Sequence, residues 1–236
     1  MTLAVAALYP WGRWAVVAEM AAKAVGSILP QAVLFACDSR WTILGPQEQY
    51  LDMGAKLFRL AADAGAVYAG DAQVAEEALG RVQSRLEEHR PEDEGRYPEI
   101  AGAICRSAYQ HHRAQRPSIG TCHLLIGACT KEGRAELWYL GCDNDFRPEV
   151  KSGVPALGWS DTVDMFRQAH DAKVAADTAR SSGWSLNAGQ AAIQLAVALN
   201  DHIIVPQVNK YVGGKVQCGL VDRDGFRQLD VSWAYV

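Results

Sequence analysis

The segment Val33-Leu-Phe-Ala-Cys-Asp-Ser-Arg-Trp-Thr42 is an apolar run that ends in an acid and a base. Two related segments follow it, Asp52-Met-Gly-Ala-Lys-Leu-Phe-Arg-Leu60 and Ala66-Val-Tyr-Ala-Gly-Asp71. Short apolar runs bounded by polar residues or glycine are typical of strands buried on both faces. The three segments therefore predict a buried sheet structure with a site at the strand ends.

The regions on either side alternate between the two periodicities of secondary structure. Strands are predicted at Thr2 to Leu8, Ala32 to Trp41, Lys56 to Leu60, Ala64 to Ala69, His123 to Cys129, Ala135 to Gly141, Lys215 to Val221 and Phe226 to Val231. Helices are predicted at Ala72 to Arg90, Tyr97 to Gln115, Ser160 to Thr178 and Asn187 to about His202. The order is strands, two helices, strands, two helices, strands, which predicts two sheets packed between helical layers.

Composition narrows the class of protein. The chain has 236 residues and is 49% hydrophobic, which suits one large domain over residues 1–236. The net charge of -4 and the scattered basic residues argue against a nucleic-acid partner, and no apolar run is long enough for a membrane span. The six cysteines include no Cys-x-x-Cys pair, and most of them lie in apolar runs, which indicates reduced thiols in the core. We therefore expect a cytoplasmic protein.

Charged residues at the strand ends require partners. Side chains alternate between the two faces of a strand, so Asp38 and Arg40 are expected to project to the same side, and an unpaired buried charge there is costly. Lys56, at the start of an apolar strand, is the natural candidate. A lysine held beside a carboxylate also lowers the proton affinity of any second amine nearby, because like charges repel. A structural ion pair at a strand end is the alternative interpretation.

The same residues resemble the proteasome family of N-terminal-nucleophile hydrolases. In that family a threonine heads the first strand, an Asp-x-Arg motif ends the second, and a lysine opens a later strand; these positions fall on Thr2, Asp38 with Arg40, and Lys56. Gly70, fourteen residues beyond Lys56, matches the glycine of the oxyanion site. The resemblance implies an α+β fold, the four-layer αββα sandwich of two mainly antiparallel sheets between helical layers.

The resemblance also implies roles for these residues. Thr2 would attack an amide carbonyl, and its own α-amine would take the hydroxyl proton once Met1 is removed. Lys56 would tune that amine, Asp38 would orient Lys56, and the N–H of Gly70 would stabilise the oxyanion. Without removal of Met1 there is no free amine on Thr2, and this mechanism fails.

The chain departs from the family pattern in three places. An inserted segment at about residues 11–31 separates the first two strands, where the family has a tight turn. The family's supporting aspartate and serine fall on Asn209 and Val212, which lack the charge and the hydroxyl. In Gly158-Trp-Ser160, tryptophan takes the position of a second supporting serine, which leaves Ser160 as the replacement.

Three functions follow from the resemblance. The first is a threonine-type amide-bond hydrolase of the self-compartmentalising kind, which would form a homo-oligomeric ring around peptide substrates, with an unfolding ATPase as a possible partner. The second is a catalytically inactive structural or assembly protein of the same fold. The third is an amidase for a small molecule, with the inserted segment as a lid. No cofactor and no metal are expected, since the histidines have no spaced acid or cysteine.

Overall fold

The strands lie mostly where the sequence predicts them. The computed structural model describes residues 3–9, 31–43, 47–52, 54–88, 96–130, 133–158, 160–168 and 187–231. Its strands are β1 (Ala4–Tyr9), β2 (Ala32–Asp38), β3 (Trp41–Ile43), β4 (Gln49–Leu51), β5 (Leu57–Ala61), β6 (Ala64–Gly70), β7 (Cys122–Cys129), β8 (Ala135–Gly141), β9 (Glu149–Val150), β10 (Ala156–Leu157), β11 (Val216–Asp222) and β12 (Gly225–Leu229).

The strands form two five-stranded antiparallel sheets. The first has the order β10-β1-β2-β11-β12, and the second has the order β5-β6-β7-β8-β9. Strands β3 and β4 pair with each other as a separate hairpin. The prediction of a mixed α+β protein with mainly antiparallel sheets is confirmed.

Within the described residues, four α-helical segments accompany the sheets. They are α1 (Ala72–Glu87), α2 (Tyr97–Gln115), α3 (residues 160–168) and α4 (Ala188–Leu199), and α4 continues into a wider turn at Asn200–Ile204. Polar side chains fix two of the starts: Asp71 accepts a hydrogen bond from the N–H of Val74 at 3.1 Å, and Asn187 accepts one from the N–H of Gln190 at 2.8 Å. Such caps satisfy main-chain donors that the first helical turn leaves free.

Three apolar cores lie between these elements. One joins the first sheet to α3 and α4, through residues such as Leu34, Phe166 and Leu195. Another joins the second sheet to α1 and α2, and a third lies between the two sheets. Strand β2 separates two of these cores, so all seven of its residues are buried. Burial on both faces explains why its sequence is apolar without alternation.

Some predictions of local structure need correction. The strand predicted over Ala32 to Trp41 ends at Asp38, because the carboxylate of Asp38 bonds to main-chain N–H groups and the chain turns there. The β3–β4 hairpin and the short strands β9 and β10 were not predicted. Residues 160–168 of the predicted helix over Ser160 to Thr178 are helical, and the rest of it lies outside the described residues.

Two sequence predictions fall outside the part of the chain that the structure describes. Thr2 is one, and the inserted segment at residues 11–31, apart from Gln31, is the other. Among the described helices, none combines the length and the apolar character needed to cross a bilayer.

Candidate functional site

A buried ion pair joins the two sheets at one end. The Nζ of Lys56, just before β5, lies 3.2 Å from Oδ1 and 3.1 Å from Oδ2 of Asp38, the last residue of β2. The side chain of Lys56 is 1% exposed and that of Asp38 is fully buried. The sequence predicted this pair from the cost of an unpaired buried charge, and the structure brings the two residues together.

Asp38 also organises the main chain around it. Its carboxylate accepts hydrogen bonds from the N–H groups of Leu3 at 2.9 Å, Arg40 at 3.1 Å and Gly213 at 3.2 Å. These donors belong to the residue before β1, the segment after β2 and the loop before β11. One side chain therefore fixes three separate parts of the chain. The three N–H groups and the ammonium of Lys56 satisfy the oxygens of this carboxylate, as a buried charge requires.

Hydrogen bonds hold both the main chain and the ammonium group of Lys56. Its main-chain N–H donates to Oε1 of Gln217 at 2.9 Å, and the N–H of Leu57 donates to the same oxygen at 3.0 Å. Its ammonium group also donates to the main-chain oxygen of Arg40. The lysine is thus positioned by a glutamine on β11, which the sequence analysis did not identify. No signal in the local sequence connects two residues so far apart in the chain.

Burial shifts the proton affinities of the pair in opposite directions. Desolvation lowers the pKa of Lys56 below its ordinary value, and the charge of Asp38 opposes the shift. Desolvation also raises the pKa of Asp38, while Lys56 and the N–H groups of Leu3 and Gly213 oppose that change. The ammonium form of Lys56 is the one that can act electrostatically on a neighbouring group, and the charge of Asp38 favours that form.

The side chain of Arg40 lies outside the buried pair. Its guanidinium group forms a two-pronged contact with Asp52, at 2.6 Å from Oδ1 and 3.0 Å from Oδ2, and it donates to the main-chain oxygen of Lys210 at 3.0 Å. The hydrogen bond from Arg40 lowers the pKa of Asp52. Arg40 therefore supports the site by tying the segment after β4 to the loop before β11, and only its main chain touches Asp38 and Lys56.

The double glycine at positions 213 and 214 packs directly against the site. A Cβ on Gly213 would lie 2.4 Å from the guanidinium carbon of Arg40. Gly214 has a φ of +75°, and a Cβ there would lie 2.5 Å from Oγ of Ser39. A side chain at position 213 would have to displace the guanidinium group of Arg40, and the positive φ at position 214 favours glycine there.

Gly70 lies at the same end of the second sheet as Lys56. Leu57 faces Val67 in the β5–β6 register, so Gly70 is three residues further along β6 in that direction. Its φ is +109°, and a Cβ would lie 1.9 Å from the main-chain oxygen of Thr121. Glycine is required here by backbone conformation and close packing, whichever role its N–H has.

The two remaining supporting residues do not contact the pair through any described hydrogen bond. Asn209 donates from Nδ2 to Oγ1 of Thr162 at 3.1 Å and accepts at Oδ1 from the N–H of Tyr211 at 2.9 Å. It therefore connects the loop before β11 to α3. Ser160 is exposed at the start of α3, and its hydroxyl donates to Asp161 at 3.2 Å. Thr162, which is buried, was missed by the sequence analysis.

A cavity of about 460 Å³ lies at the β9 and β10 edge of the molecule. Leu125, Tyr139 and Leu157 contribute to its wall, with Lys151 and Arg167 among its charged lining residues. Strand β10 pairs with β1 through Leu157 and Ala4, one residue after Leu3. The cavity therefore adjoins β1, and the residue before this strand, Leu3, donates its N–H to Asp38.

Among the described residues, no group of three or more His, Cys, Asp or Glu side chains is arranged to hold a metal ion. Comparison of the chain with models of known protein families gave no match. A search of curated protein sequences also gave none.

Proposed function

We propose that this protein is an N-terminal-nucleophile amide hydrolase of the proteasome type, with Thr2 as its nucleophile. The observation that carries the proposal is the contact between Asp38 and the N–H of Leu3, which directly follows Thr2 in the sequence. The buried Lys56–Asp38 pair lies at that point, which is where the mechanism needs a positive charge. The two antiparallel sheets between helical layers are also what the N-terminal-nucleophile hydrolase fold requires.

In this mechanism Met1 is removed and the α-amine of Thr2 becomes free. The ammonium of Lys56 lowers the pKa of that amine through like-charge repulsion, so that more of it is neutral at physiological pH. The neutral amine takes the proton of the threonine hydroxyl as the oxygen attacks the substrate carbonyl. Asp38 keeps Lys56 in place, and the N–H of Gly70 is the proposed donor to the oxyanion.

Two measurements test the nucleophile directly. The intact mass of the protein purified from cells is expected to lack one methionine, and an electrophile selective for N-terminal threonine is expected to add once to each chain. Thr2→Ala should abolish labelling. Lys56→Ala should slow it by roughly 100-fold or more, the scale of a positioned proton-transfer group.

Lys215→Ala is the matched control, because the side chain of Lys215 is exposed and its described hydrogen bond, to Oγ of Ser39, comes from the main-chain N–H, which alanine keeps. It should label at the wild-type rate. Retention of Met1 in the active preparation, or equal labelling of Thr2→Ala and wild type, would contradict the proposal.

A catalytically inactive assembly protein is the second candidate. The observation in its favour is that Asn209 bonds to Thr162 and not to the Lys56–Asp38 pair, so the outer support of the family's site is altered. For this candidate, the mass measurement would find Met1 in place and no variant would react with the electrophile. A small-molecule amidase would instead label at Thr2 and cleave small amides but not peptides.

Both proteasome-type candidates predict a homo-oligomeric ring. The side chains of Ile43 and Leu51 in the β3–β4 hairpin are nearly half exposed. Exposed apolar side chains of this kind are found where one subunit contacts the next. Mass photometry of the purified protein is expected to give a multiple of the chain mass. A single species at the chain mass across micromolar concentrations would rule out the ring. It would also rule out an ATPase partner that binds to such a ring.

A further inference from the structure

Two cysteines face each other across the second sheet. The β7–β8 register pairs His123 with Gly141, and one further step in the same register places Cys122 opposite Cys142. Gly141 has extended backbone angles, φ -147° and ψ 157°, so the strand geometry continues up to Cys142. The two residues are therefore cross-strand neighbours although Cys142 begins a turn.

Both thiol groups lie on the face of the sheet that is covered by α1 and α2. Cys122 belongs to the core between the sheet and these helices, and Cys142 packs against the same core. The N–H of Cys122 donates to Sγ of Cys142 at 3.4 Å, which confirms that the second thiol reaches the first residue. Directly opposed residues of an antiparallel pair have Cα atoms about 4.5–5.5 Å apart, within the range of about 4.4–6.8 Å that a disulfide spans.

The two thiols differ in accessibility. Cys122 is buried and burial raises its pKa well above the ordinary value, whereas Cys142 is partly exposed. A third cysteine nearby, Cys105 on α2, is also buried, and burial raises its pKa to about 12. Only Cys142 of the three is open to a dissolved oxidant, and reaction of a thiol depends on access as well as on thiolate content.

We propose that Cys122 and Cys142 form an oxidisable dithiol, which a low-molecular-weight disulfide such as oxidised glutathione converts to a reversible cross-strand disulfide. The thiolate of Cys142 attacks one sulfur of the oxidant, so that a mixed disulfide forms and one glutathione thiolate leaves. Cys122 then attacks Sγ of Cys142, and the second glutathione leaves as a thiolate that takes up the proton of the Cys122 thiol. Two protein thiols are oxidised and one small disulfide is reduced to two thiols.

The bond would form next to a constrained part of the sheet. Cys122 pairs with Gly70 in the β6–β7 register, and a Cβ on Gly70 would lie 3.1 Å from the Cα of Cys122. Oxidation would therefore link β7 to the residue after β8 directly beside the end of β6 at Gly70. The dithiol stands on this geometry alone and does not depend on the proposed hydrolase activity.

The test treats the folded full-length protein with oxidised glutathione, then quenches with acid, denatures and alkylates the remaining thiols. Wild type is expected to lose two of its six alkylatable thiols without a retained glutathione, and peptide mapping should find Cys122 linked to Cys142. Cys122→Ala, which keeps the buried site apolar, should stop at a glutathione adduct on Cys142. Cys142→Ser should keep every remaining thiol free.

Cys218→Ser is the matched control, because Cys218 is a buried cysteine on β11 in the core on the other side of the molecule. It should form the disulfide as wild type does. Circular dichroism of each variant before oxidation confirms that the thiols are compared in folded protein. A linkage through Cys105, a stable glutathione adduct on wild-type Cys142, or full alkylation of wild type would overturn the proposal.

Discussion

Asp38 and Lys56 are unequal partners in their ion pair. Lys56 bonds to Asp38 and to one main-chain oxygen, whereas Asp38 also holds the N–H groups of Leu3, Arg40 and Gly213. Asparagine at position 38 leaves the buried cation without its counter-charge, and its NH2 group replaces one of the two oxygens that accept from these main-chain donors. Loss of the lysine leaves a carboxylate that keeps three donors.

We therefore expect Asp38→Asn to destabilise the protein more than Lys56→Met. Removing one partner of a buried pair typically costs about 3–5 kcal/mol, and Lys56→Met should lie at the lower end of that range. Urea unfolding followed by circular dichroism measures both. The exposed Lys215→Met should change the free energy of unfolding by less than about 0.5 kcal/mol. Equal stability of Lys56→Met and wild type would show that the pair contributes nothing.

The contact between Arg40 and Asp52 predicts a pH dependence of stability. The pKa of Asp52 is lower in the folded protein than in the unfolded chain, because Arg40 favours the carboxylate. Its contribution is therefore present above the unfolded value of about 3.9 and is lost as the pH falls through the lower folded value. The carboxylate is 45% exposed, so we expect only about 0.2–1 kcal/mol.

Asp52→Asn isolates this contribution. The difference in unfolding free energy between wild type and Asp52→Asn should be present at pH 6 and should shrink towards pH 3, in urea titrations at constant ionic strength. Glu99→Gln is a carboxylate control on α2, far along the chain from this contact. A difference that grows towards acid pH would contradict the assignment.

At the scale of single elements, glycine is required at the end of β6 but is unfavourable in the middle of α1. Gly70 has positive φ and its missing Cβ would collide with the main chain at Thr121. Gly80 lies in α1 and is exposed, and a Cβ added to it would meet nothing within 4 Å. The same substitution should therefore have opposite signs at the two positions.

We expect Gly70→Ala to cost about 1–3 kcal/mol, because alanine is strained at that φ and the β6–β7 pairing must shift. Gly80→Ala should stabilise the protein by about 0.5–1 kcal/mol through helix propensity. Thermal and urea unfolding of the two variants measure this difference. Stabilisation by Gly70→Ala would show that the turn at Thr121 does not constrain β6.

The sequence predicted regular elements well and irregular ones poorly. The helix Tyr97–Gln115 has the predicted bounds, because its apolar residues recur at helical spacing and Pro98 suits a first turn. The hairpin β3–β4 was missed, since its strands have three residues each and are largely exposed, so they carry no apolar pattern. The contact of Arg40 with Asp52 joins the two ends of that hairpin beside the Trp41–Leu51 pair, and the local sequence does not show it.

At the scale of the whole molecule, the distance between the two sheets depends on small residues at their interface. A Cβ on Gly127 of β7 would lie 2.5 Å from Cγ1 of Val33 and 2.9 Å from the ring of Phe35, both on β2. Gly65 of β6 leaves room for Phe226 in the same way. The aromatic rings fill the space that the glycines leave, so the sheets pack closely.

Gly127→Ala should therefore act on the packing of the two sheets. We expect a loss of about 1–3 kcal/mol, the usual cost of overpacking a core. Gly127→Ala combined with Val33→Ala should recover part of that loss, because the second change removes Cγ1 of Val33, the nearest colliding atom, while the Cβ of Val33 and the ring of Phe35 remain. Urea unfolding of the two single variants and the double variant gives the coupling. Strictly additive losses would mean that the sheets do not meet at this point.

The sequence by itself determined the order of strands and helices and named Asp38, Arg40, Lys56 and Gly70 as a group. Burial and periodicity are local properties, so they leave a pattern in neighbouring residues. Only the tertiary structure decided that Gln217, 161 residues beyond Lys56, fixes the start of β5 and that Gly213 bonds to Asp38. Such contacts arise from sheet pairing and packing between distant segments, and no single segment of the chain encodes them.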